Sequence, residues 1–321
     1  MTQMTRFCLR CILFLWIDAL FASSSNIPSS EEYIPLYAGT QLAFYPTNAA
    51  PGYLAVQPYL FYIDHYGKYS SHWSKKTIKH TDELSLLFSL ETGISDWLDV
   101  ALYLKGAYKK FGNEHSWLFG DTSIYFGFQI LTDQKNCWIP DLRFLLAETF
   151  PTGKYDHLKP NKGASNAFGA GSFTTTAVLI IAKTFYAYPQ HPFNLNLNLS
   201  YTYPSHASVH GLSIFGGAPD TRDTALPGSG FITNFAVEYS LNRFWALGLD
   251  IRYVHQNKTN FKGATGTLKP RMLSSEQFSL APCLEFSQSE DLSMAIGPWF
   301  SIAGRNAEAF VGVVSNIYCY F

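Results

Sequence analysis

The sequence predicts an all-β protein: a transmembrane antiparallel β-barrel of about 12 strands, preceded by an N-terminal signal peptide. Three observations predict it. Strand-like runs alternate apolar and polar residues, the gaps between the runs alternate between short and long, and the chain ends on an aromatic residue, Phe321. Aromatic residues make up 17% of the 321 residues and charged residues only 15%, a composition that favours strands over helices.

The N-terminus has the order of a secretory signal. Arg6 and Arg10 precede the apolar run 11-CILFLWIDALF-21, and small residues follow it. This run is too short to span a bilayer as a helix. The predicted divisions of the chain are a signal peptide in residues 1–24, a periplasmic lead-in or plug in 25–52, and the barrel in 53–321.

Twelve strands are predicted from alternation and from the turn residues between the runs. In chain order they are 53–66, 83–93, 97–111, 120–132, 140–152, 172–187, 193–207, 230–241, 244–257, 273–287, 291–303 and 307–321. Short gaps rich in Asn, Asp, Ser and Pro alternate with long gaps rich in Gly, Lys and His, apart from the shorter members 112–119 and 304–306 of the long series. Outer-membrane barrels have short periplasmic turns and long external loops. The alternation therefore favours such a barrel, in the cell outer membrane, over a soluble sandwich.

The run 193-FNLNLNLSYTY-203 shows how the strands are expected to face. Leucine and aromatic residues occupy one parity, and asparagine, serine and threonine occupy the other. Successive side chains of a strand point to opposite faces, so one face would meet lipid and the other a wet lumen. The predicted lumen residues are Glu91, Asp99, Lys105, Arg143, Asn194, Asn196, Asn198, Glu238, Asp250, Arg252 and Glu285. Their mixed charges predict pairs across the barrel that restrict passage.

Some strand residues do not fit the pattern. Pro58, Pro282 and Pro298 fall inside predicted strands, where each removes one ladder hydrogen bond. Because Pro282 and Pro298 lie on neighbouring strands, they are predicted to weaken pairing there and to mark a lateral exit for an apolar solute. Strand 172–187 is apolar on both parities, so its facing stays open.

The last strand and one basic loop suggest macromolecular partners. A final strand that ends on Phe321 resembles the C-terminal signal that outer-membrane barrels present to the barrel assembly machinery. The loop 72-HWSKKTIKH-80 is predicted either to contact phosphates of lipopolysaccharide or to be an ordinary solvated loop. Outer-membrane lipid is expected around the wall. The formal net charge of −1 gives no support for nucleic acid as a partner.

Several stretches resemble the bacterial outer-membrane family of phenol-degradation (MetA-pathway) transporters. They are 57-QPYLFY-62, 93-GISDWLDV-100, 120-GDTSIYFGFQ-129, 149-TFPTGKYD-156 and 163-GASNAFGAGS-172. The resemblance implies a twelve-stranded barrel that passes small, often aromatic, compounds across the outer membrane. The predicted function is accordingly a transporter or channel for a small-molecule solute that is aromatic or hydrophobic.

Two alternative functions stay open. His206 and Ser208 lie close in sequence, as in outer-membrane lipid hydrolases, where the imidazole activates the hydroxyl. A structural or adhesive barrel with a plugged lumen is the other alternative. The three widely spaced cysteines after the signal, Cys137, Cys283 and Cys319, predict isolated thiols. No catalytic residue, cofactor or metal site is predicted.

Overall fold

The computed structural model describes residues 35–135, 137–163, 165–187 and 191–321. The strands in these residues are β1 Leu54–Tyr69, β2 Lys75–Ser95, β3 Leu98–Phe111, β4 Glu114–Phe119, β5 Thr122–Leu131, β6 Asp141–Phe150, β7 Thr174–Phe185, β8 Phe193–Pro204, β9 Ala207–His210, β10 Arg222–Leu226, β11 Gly230–Ser240, β12 Trp245–Gln256, β13 Asn260–Thr265, β14 Ser275–Ser287, β15 Leu292–Arg305 and β16 Glu308–Tyr320. A 3-10 helix spans Pro160–Lys162. The predicted signal peptide and residues 25–34 lie outside the described residues.

Twelve of these strands close into one antiparallel barrel, which confirms the predicted fold class. Around the ring the order is β1, β2, β3, β5, β6, β7, β8, β11, β12, β14, β15 and β16. Strand β16 pairs back onto β1, from Ala55 opposite Tyr320 to Lys68 opposite Glu308. Closure gives every barrel strand two neighbours, as a strand in lipid requires. No helix in the described part of the chain has the length and apolar character needed to cross a bilayer.

The barrel wall is polar inside and apolar outside. On β8, Asn194, Asn196 and Asn198 are 6%, 4% and 2% exposed, whereas Tyr201 and Tyr203 are 50% and 68% exposed. Soluble proteins bury their apolar residues and expose their polar ones. The reversed arrangement is that of an outer-membrane barrel, with lipid around the wall and a polar lumen within.

The two ends of the barrel differ. At one end, called here the short-turn end, β1 begins beside the C-terminus, where the Leu54 N–H donates to the Phe321 carbonyl at 2.9 Å. At the other end, called the loop end, lie the long connections that follow β6, β8 and β12, whereas β15 and β16 are joined there by a short turn. One predicted loop at this end is shorter than expected. Strand β1 continues to Tyr69 and β2 begins at Lys75, so most of the predicted loop 67–82 is strand.

Three strands in the loops form a second sheet that the sequence analysis did not predict. Strand β10 pairs with β9 on one side and with β13 on the other. Ala207, Val209, Phe215 and Ala225 form its buried apolar core. At its border, Thr267 donates to Asp220 through its hydroxyl and amide, and these hydrogen bonds hold the pKa of Asp220 below its usual value.

The prolines interrupt the ladder as predicted. Pairing between β1 and β16 skips from Val56 to Tyr59, around Pro58. Pairing between β14 and β15 skips from Leu280 to Leu284, around Pro282 and Pro298. The strands stay in contact at the second gap, because a Cβ on Gly297 would lie 2.8 Å from the Cα of Cys283. The lateral exit therefore stays a prediction.

Candidate functional site in the barrel lumen

The structure places the predicted lumen residues on the inner face of the wall. Eight of them are buried: Asp99, Arg143, Asn194, Asn196, Asn198, Glu238, Asp250 and Glu285. Glu91, Lys105 and Arg252 line a central cavity, together with Asp99 and Arg143. Most of these side chains bind either each other or residues 36–50, which lie inside the barrel and are called here the lumen segment.

The lumen segment enters the barrel at the short-turn end. The Leu36 N–H donates to the carbonyl of Arg243 at 3.4 Å, and the Tyr37 hydroxyl donates to the carbonyl of Pro192 at 2.8 Å. The Ala38 N–H then donates to Glu285 Oε2 at 3.1 Å. The segment forms no helix or strand, so its backbone groups need partners from the wall.

Asp250 on β12 is the main partner of the middle of the segment. Its Oδ1 accepts from the Thr40 hydroxyl at 2.8 Å, and its Oδ2 accepts from the Leu42 N–H at 3.1 Å. Asn234 on β11 donates to the same Oδ1 at 2.7 Å. Asp250 is 0% exposed, so its charge depends on these donors. The predicted lumen carboxylate thus binds backbone and hydroxyl groups of the segment.

Two asparagines of β8 hold both backbone groups of Phe44. Asn198 Oδ1 accepts from the Phe44 N–H at 2.7 Å, and Asn196 Nδ2 donates to the Phe44 carbonyl at 2.9 Å. Asn198 Nδ2 donates to Asn196 Oδ1 at 2.6 Å, which fixes both amides. Asn194 instead donates to Glu238 Oε2 at 2.8 Å.

The ring of Phe44 packs on an apolar patch of the inner wall. The patch consists of Leu145 on β6 with Val178 and Ile180 on β7, and Tyr125 joins it from β5. Val178 and Ile180 are both fully buried. This settles the facing of β7, which the sequence left open: its inner face is apolar where the Phe44 ring contacts it.

Arg143 connects two wall carboxylates to the segment. It pairs with Asp99 and, at 2.8 Å, with Glu91, and its Nη1 donates to the Tyr45 carbonyl at 3.0 Å. Asp99 Oδ2 also accepts from the Ala49 N–H at 3.2 Å. These charges come from β2, β3 and β6, which are close together in the ring, so they pair along one side of the wall and hold the part of the segment from Tyr45 to Ala49. Pairing across the barrel stays a prediction.

The segment leaves the barrel at the end by which it entered. The Asn48 N–H donates to Gln129 Oε1 at 3.1 Å, and the Ala50 N–H donates to the Tyr320 hydroxyl at 2.6 Å. Pro51 forms an isolated bridge with Gly93 before β1 begins. Residues 36–50 therefore enter, turn and return on the short-turn side.

Glycines of the wall make room for the segment and its partners. A Cβ on Gly248 would lie 3.1 Å from Thr40 Cγ2 and would also strike Glu285. A Cβ on Gly127 would lie 2.6 Å from Arg143 Nη2 and would strike Asp99. At both positions the space is filled by groups that hold the segment, so glycine is required for close approach.

A cavity of about 850 Å³ runs beside the segment. Tyr53 and Tyr320 line it at the short-turn end. Ile63 of β1 and its partner Glu83 of β2 line it nearer the loop end. Phe168, from the loop between β6 and β7, also lines it. The segment therefore occupies only part of the lumen.

Aromatic side chains line the middle of the cavity. Tyr59 and Phe61 come from β1, Tyr103 from β3, Tyr125 from β5 and Trp299 from β15. The rings of Tyr103 and Tyr125 lie 4.7 Å apart, and those of Phe61 and Trp299 lie 6.3 Å apart. Sequence reasoning missed these residues because it selected lumen positions by polarity. The parity of the strands is the signal that could have found them.

The hydrolase alternative receives no support from the geometry. His206 and Ser208 are exposed at the loop end, and in the described part of the chain no hydrogen bond joins the imidazole to the hydroxyl. Cys137, Cys283 and Cys319 are free thiols, as predicted. The described residues contain no group of three His, Cys, Asp or Glu side chains suited to a metal.

The comparisons agree with this architecture. The model of the family described as "Putative MetA-pathway of phenol degradation" matches residues 73–313. The crystal structure of an outer membrane channel from Pseudomonas putida F1 is similar, with a TM-score of 0.64 and 10% identity over 92% of this chain and 100% of that one.

Two further solved structures are similar at lower TM-scores. The Pseudomonas putida toluene transporter TodX gives 0.41 at 9% identity, over 92% of this chain and 98% of that one. The transport unit of the autotransporter AIDA-I from Escherichia coli gives 0.43 at 10% identity, over 96% and 97%. No curated protein matches the chain.

Proposed function

The chain belongs to the family described as "Putative MetA-pathway of phenol degradation", and from this premise we propose that it is an outer-membrane channel for a small aromatic or hydrophobic compound. The observation that carries the proposal is the aromatic cavity beside the lumen segment. Ligand sites in proteins are commonly cavities of about 300–1,000 Å³ with apolar walls and a few polar groups. A cavity of about 850 Å³ fits that description.

The lumen segment is proposed to act as a plug that narrows the barrel from the periplasmic side. Barrels of about eight strands are filled by side chains, and those of about sixteen leave a channel. A twelve-stranded barrel lies between these cases, so a bound segment can reduce its free lumen without closing it. The passage that remains lies between the segment and the aromatic side chains of β1, β3, β5 and β15.

Conductance and uptake test the proposal. Purified protein would be reconstituted in planar bilayers for single-channel currents, and in liposomes for swelling with aromatic acids, phenols and sugars of similar size. We expect small, stable currents and faster uptake of the aromatic solutes than of the sugars. Lys110→Gln, an exposed change on β3 outside the cavity, serves as the matched control and should behave like the unchanged protein.

The structural or adhesive barrel is the second candidate, because the lumen segment occupies part of the lumen. It predicts no current and no solute uptake, with or without displacement of the segment. That result in both assays would overturn the channel proposal. Currents that carry aromatic solutes would remove the second candidate. Absence of ester hydrolysis, checked on the same samples, would also separate the channel from a lipid hydrolase.

The macromolecular partners are proposed from surface features. Phe321 is 71% exposed at the short-turn end, where the barrel assembly machinery would meet the final strand. Lys75 and Lys76 are exposed at the loop end, where lipopolysaccharide phosphates would lie in the outer leaflet, and lipid would surround the apolar wall. Phe321→Ala should lower the yield of folded barrel in the outer membrane; an unchanged yield would remove the assembly-signal role.

A further inference from the structure

Two cations of the lumen lack a carboxylate partner. The guanidinium of Arg143 pairs with Glu91 and Asp99, and the ammonium of Lys109 pairs with Glu83 at 2.8 Å. Among the described residues, no carboxylate lies within salt-bridge distance of Lys105 or Arg252, although both line the cavity. Lys105 is exposed and Arg252 is half-buried, so the donors of both side chains can be reached by a ligand in the cavity.

Asp250 does not serve as the ion-pair partner of Arg252. It lies two residues away on the same face of β12, and it interacts with Arg252 through space only. Its two carboxylate oxygens already accept from Thr40, Leu42 and Asn234. The donors of the Arg252 guanidinium therefore stay available to a ligand in the cavity.

The two cations face each other across the lumen. Lys105 is on β3 and Arg252 is on β12, which are six strands apart in the ring of twelve. Each lies seven residues after the first residue of its strand, counted from the short-turn end. One anionic group in the middle of the lumen would thus meet positive charge from opposite walls.

Aromatic rings lie in the same cavity as these cations. The ring of Tyr125 lies 4.7 Å from that of Tyr103. Phe61 and Trp299 pack edge to face at 6.3 Å between centroids. Such rings favour a further aromatic ring in an offset or edge-to-face position, whereas the cations favour a carboxylate, which a guanidinium binds in a bidentate manner.

We propose that the cavity contains a binding site for an aromatic carboxylate, with its ring among Tyr103, Tyr125 and Trp299 and its carboxylate between Lys105 and Arg252. This rests on the proposed channel function and specifies its solute as an anion. A neutral aromatic would leave both cations without a partner. An aliphatic carboxylate would leave the rings unused.

Equilibrium binding tests the site separately from transport. Isothermal titration of the purified full-length protein in detergent would compare benzoate with benzamide, which has the ring without the charge, and with acetate, which has the charge without the ring. We expect benzoate to bind at least ten times more tightly than either, and added salt to weaken it because the contact is ionic.

The variants Lys105→Gln and Arg252→Gln are each expected to weaken benzoate binding about tenfold, which corresponds to about 1.4 kcal/mol. Binding of benzamide should stay as it is. Arg252→Lys keeps the charge but loses the bidentate geometry, so it should weaken benzoate binding less than Arg252→Gln does, which separates a ligand contact from a packing role. Lys110→Gln is the matched control, because it removes one lysine of β3 that does not line the cavity.

Two outcomes would overturn the site. One is equal binding of benzoate and benzamide, and the other is benzoate binding that neither Lys105→Gln nor Arg252→Gln weakens. Bilayer currents measured on the same preparations distinguish the two proposals. Currents without charge-dependent benzoate binding would contradict the aromatic-carboxylate site but not the channel proposal. Absence of currents would contradict the channel proposal itself.

Discussion

The inner wall of the barrel has two sectors that meet the lumen differently. In the binding sector, Arg143, Asn198, Asp250 and Glu285 hold the backbone of the lumen segment through hydrogen bonds of about 3 Å. In the aromatic sector, on β1, β3, β5 and β15, rings such as Tyr103 face the cavity. Buried polar groups are costly when they lose a partner, and rings beside a cavity are not. We therefore expect stability to depend on the first sector and solute selectivity on the second.

Arg143→Met should cause the largest loss of stability among these variants. It would leave Glu91 and Asp99 as uncompensated carboxylates and would free the Tyr45 carbonyl. Loss of one partner of a buried ion pair costs about 3–5 kcal/mol. Denaturant unfolding in lipid vesicles, followed by tryptophan fluorescence, would measure the change. Arg243→Met is the control, because only the backbone of that exposed turn residue is used; equal losses in both variants would contradict the expectation.

Asp250→Ala comes next. It would remove the acceptor of the Thr40 hydroxyl, the Leu42 N–H and the Asn234 amide together. Unpaired buried donors cost about 1–3 kcal/mol, enough to release the middle of the segment. We expect larger single-channel currents and faster proteolysis within residues 36–50. Asp250→Asn, which keeps one acceptor oxygen, should have a smaller effect, and unchanged currents in both variants would show that the segment does not narrow the pore.

Gly248→Ala tests how closely the segment fits the wall. The added methyl would meet Thr40 Cγ2 and Glu285, and overpacking of this kind costs about 1–3 kcal/mol, with the low end expected for one methyl. Thermal unfolding in detergent would detect it. Gly106→Ala is the matched control, because its Cβ would meet only the Leu118 carbonyl, at 3.7 Å. If both variants unfolded at the same temperature, the close fit at Gly248 would not contribute to stability.

Tyr103→Leu should have the smallest effect on stability. It tests the expectation that the aromatic sector determines solute selectivity. It would remove the ring pair with Tyr125, which is worth about 0.5–1.5 kcal/mol. Uptake of aromatic solutes should fall while uptake of sugars stays the same, as measured by liposome swelling. Ser85→Ala, another change at the cavity wall, is the control. Equal changes for both solute classes would contradict a selective role for the ring.

The strands could be predicted from the sequence because polar and apolar residues alternate along them. Strand β8 is the clearest case, with buried asparagines and exposed tyrosines. The same alternation cannot show which medium meets each face. Just two residues after β8, strand β9 buries Val209 and exposes Ser208, as a soluble sheet does. The two strands bury opposite kinds of residue because their surroundings differ: β8 lies in the barrel wall, whereas β9 lies in the loops.

The candidate site could be predicted only in part. Arg143 and Asp250 could be placed on the inner face because a charge there cannot face lipid. Phe61 and Trp299 gave no such signal, because an aromatic residue fits either face. The lumen segment lacks regular alternation, and its position depends on wall residues distant in the chain. The closed barrel determines which wall residues contact the segment, so its partners cannot be predicted from residues 36–50 alone.

The position of the lumen segment also sets an order of events in assembly. Its contacts reach across long stretches of chain, from 50 residues between Ala49 and Asp99 to 273 residues between Gln41 and Val314. Contacts of such separation form late, because the intervening chain must be ordered first. Val314 belongs to the final strand, so complete docking has to wait until β16 is in place beside β1. The lumen segment precedes every strand of the barrel in the chain, yet its docking can be completed only after the wall has closed.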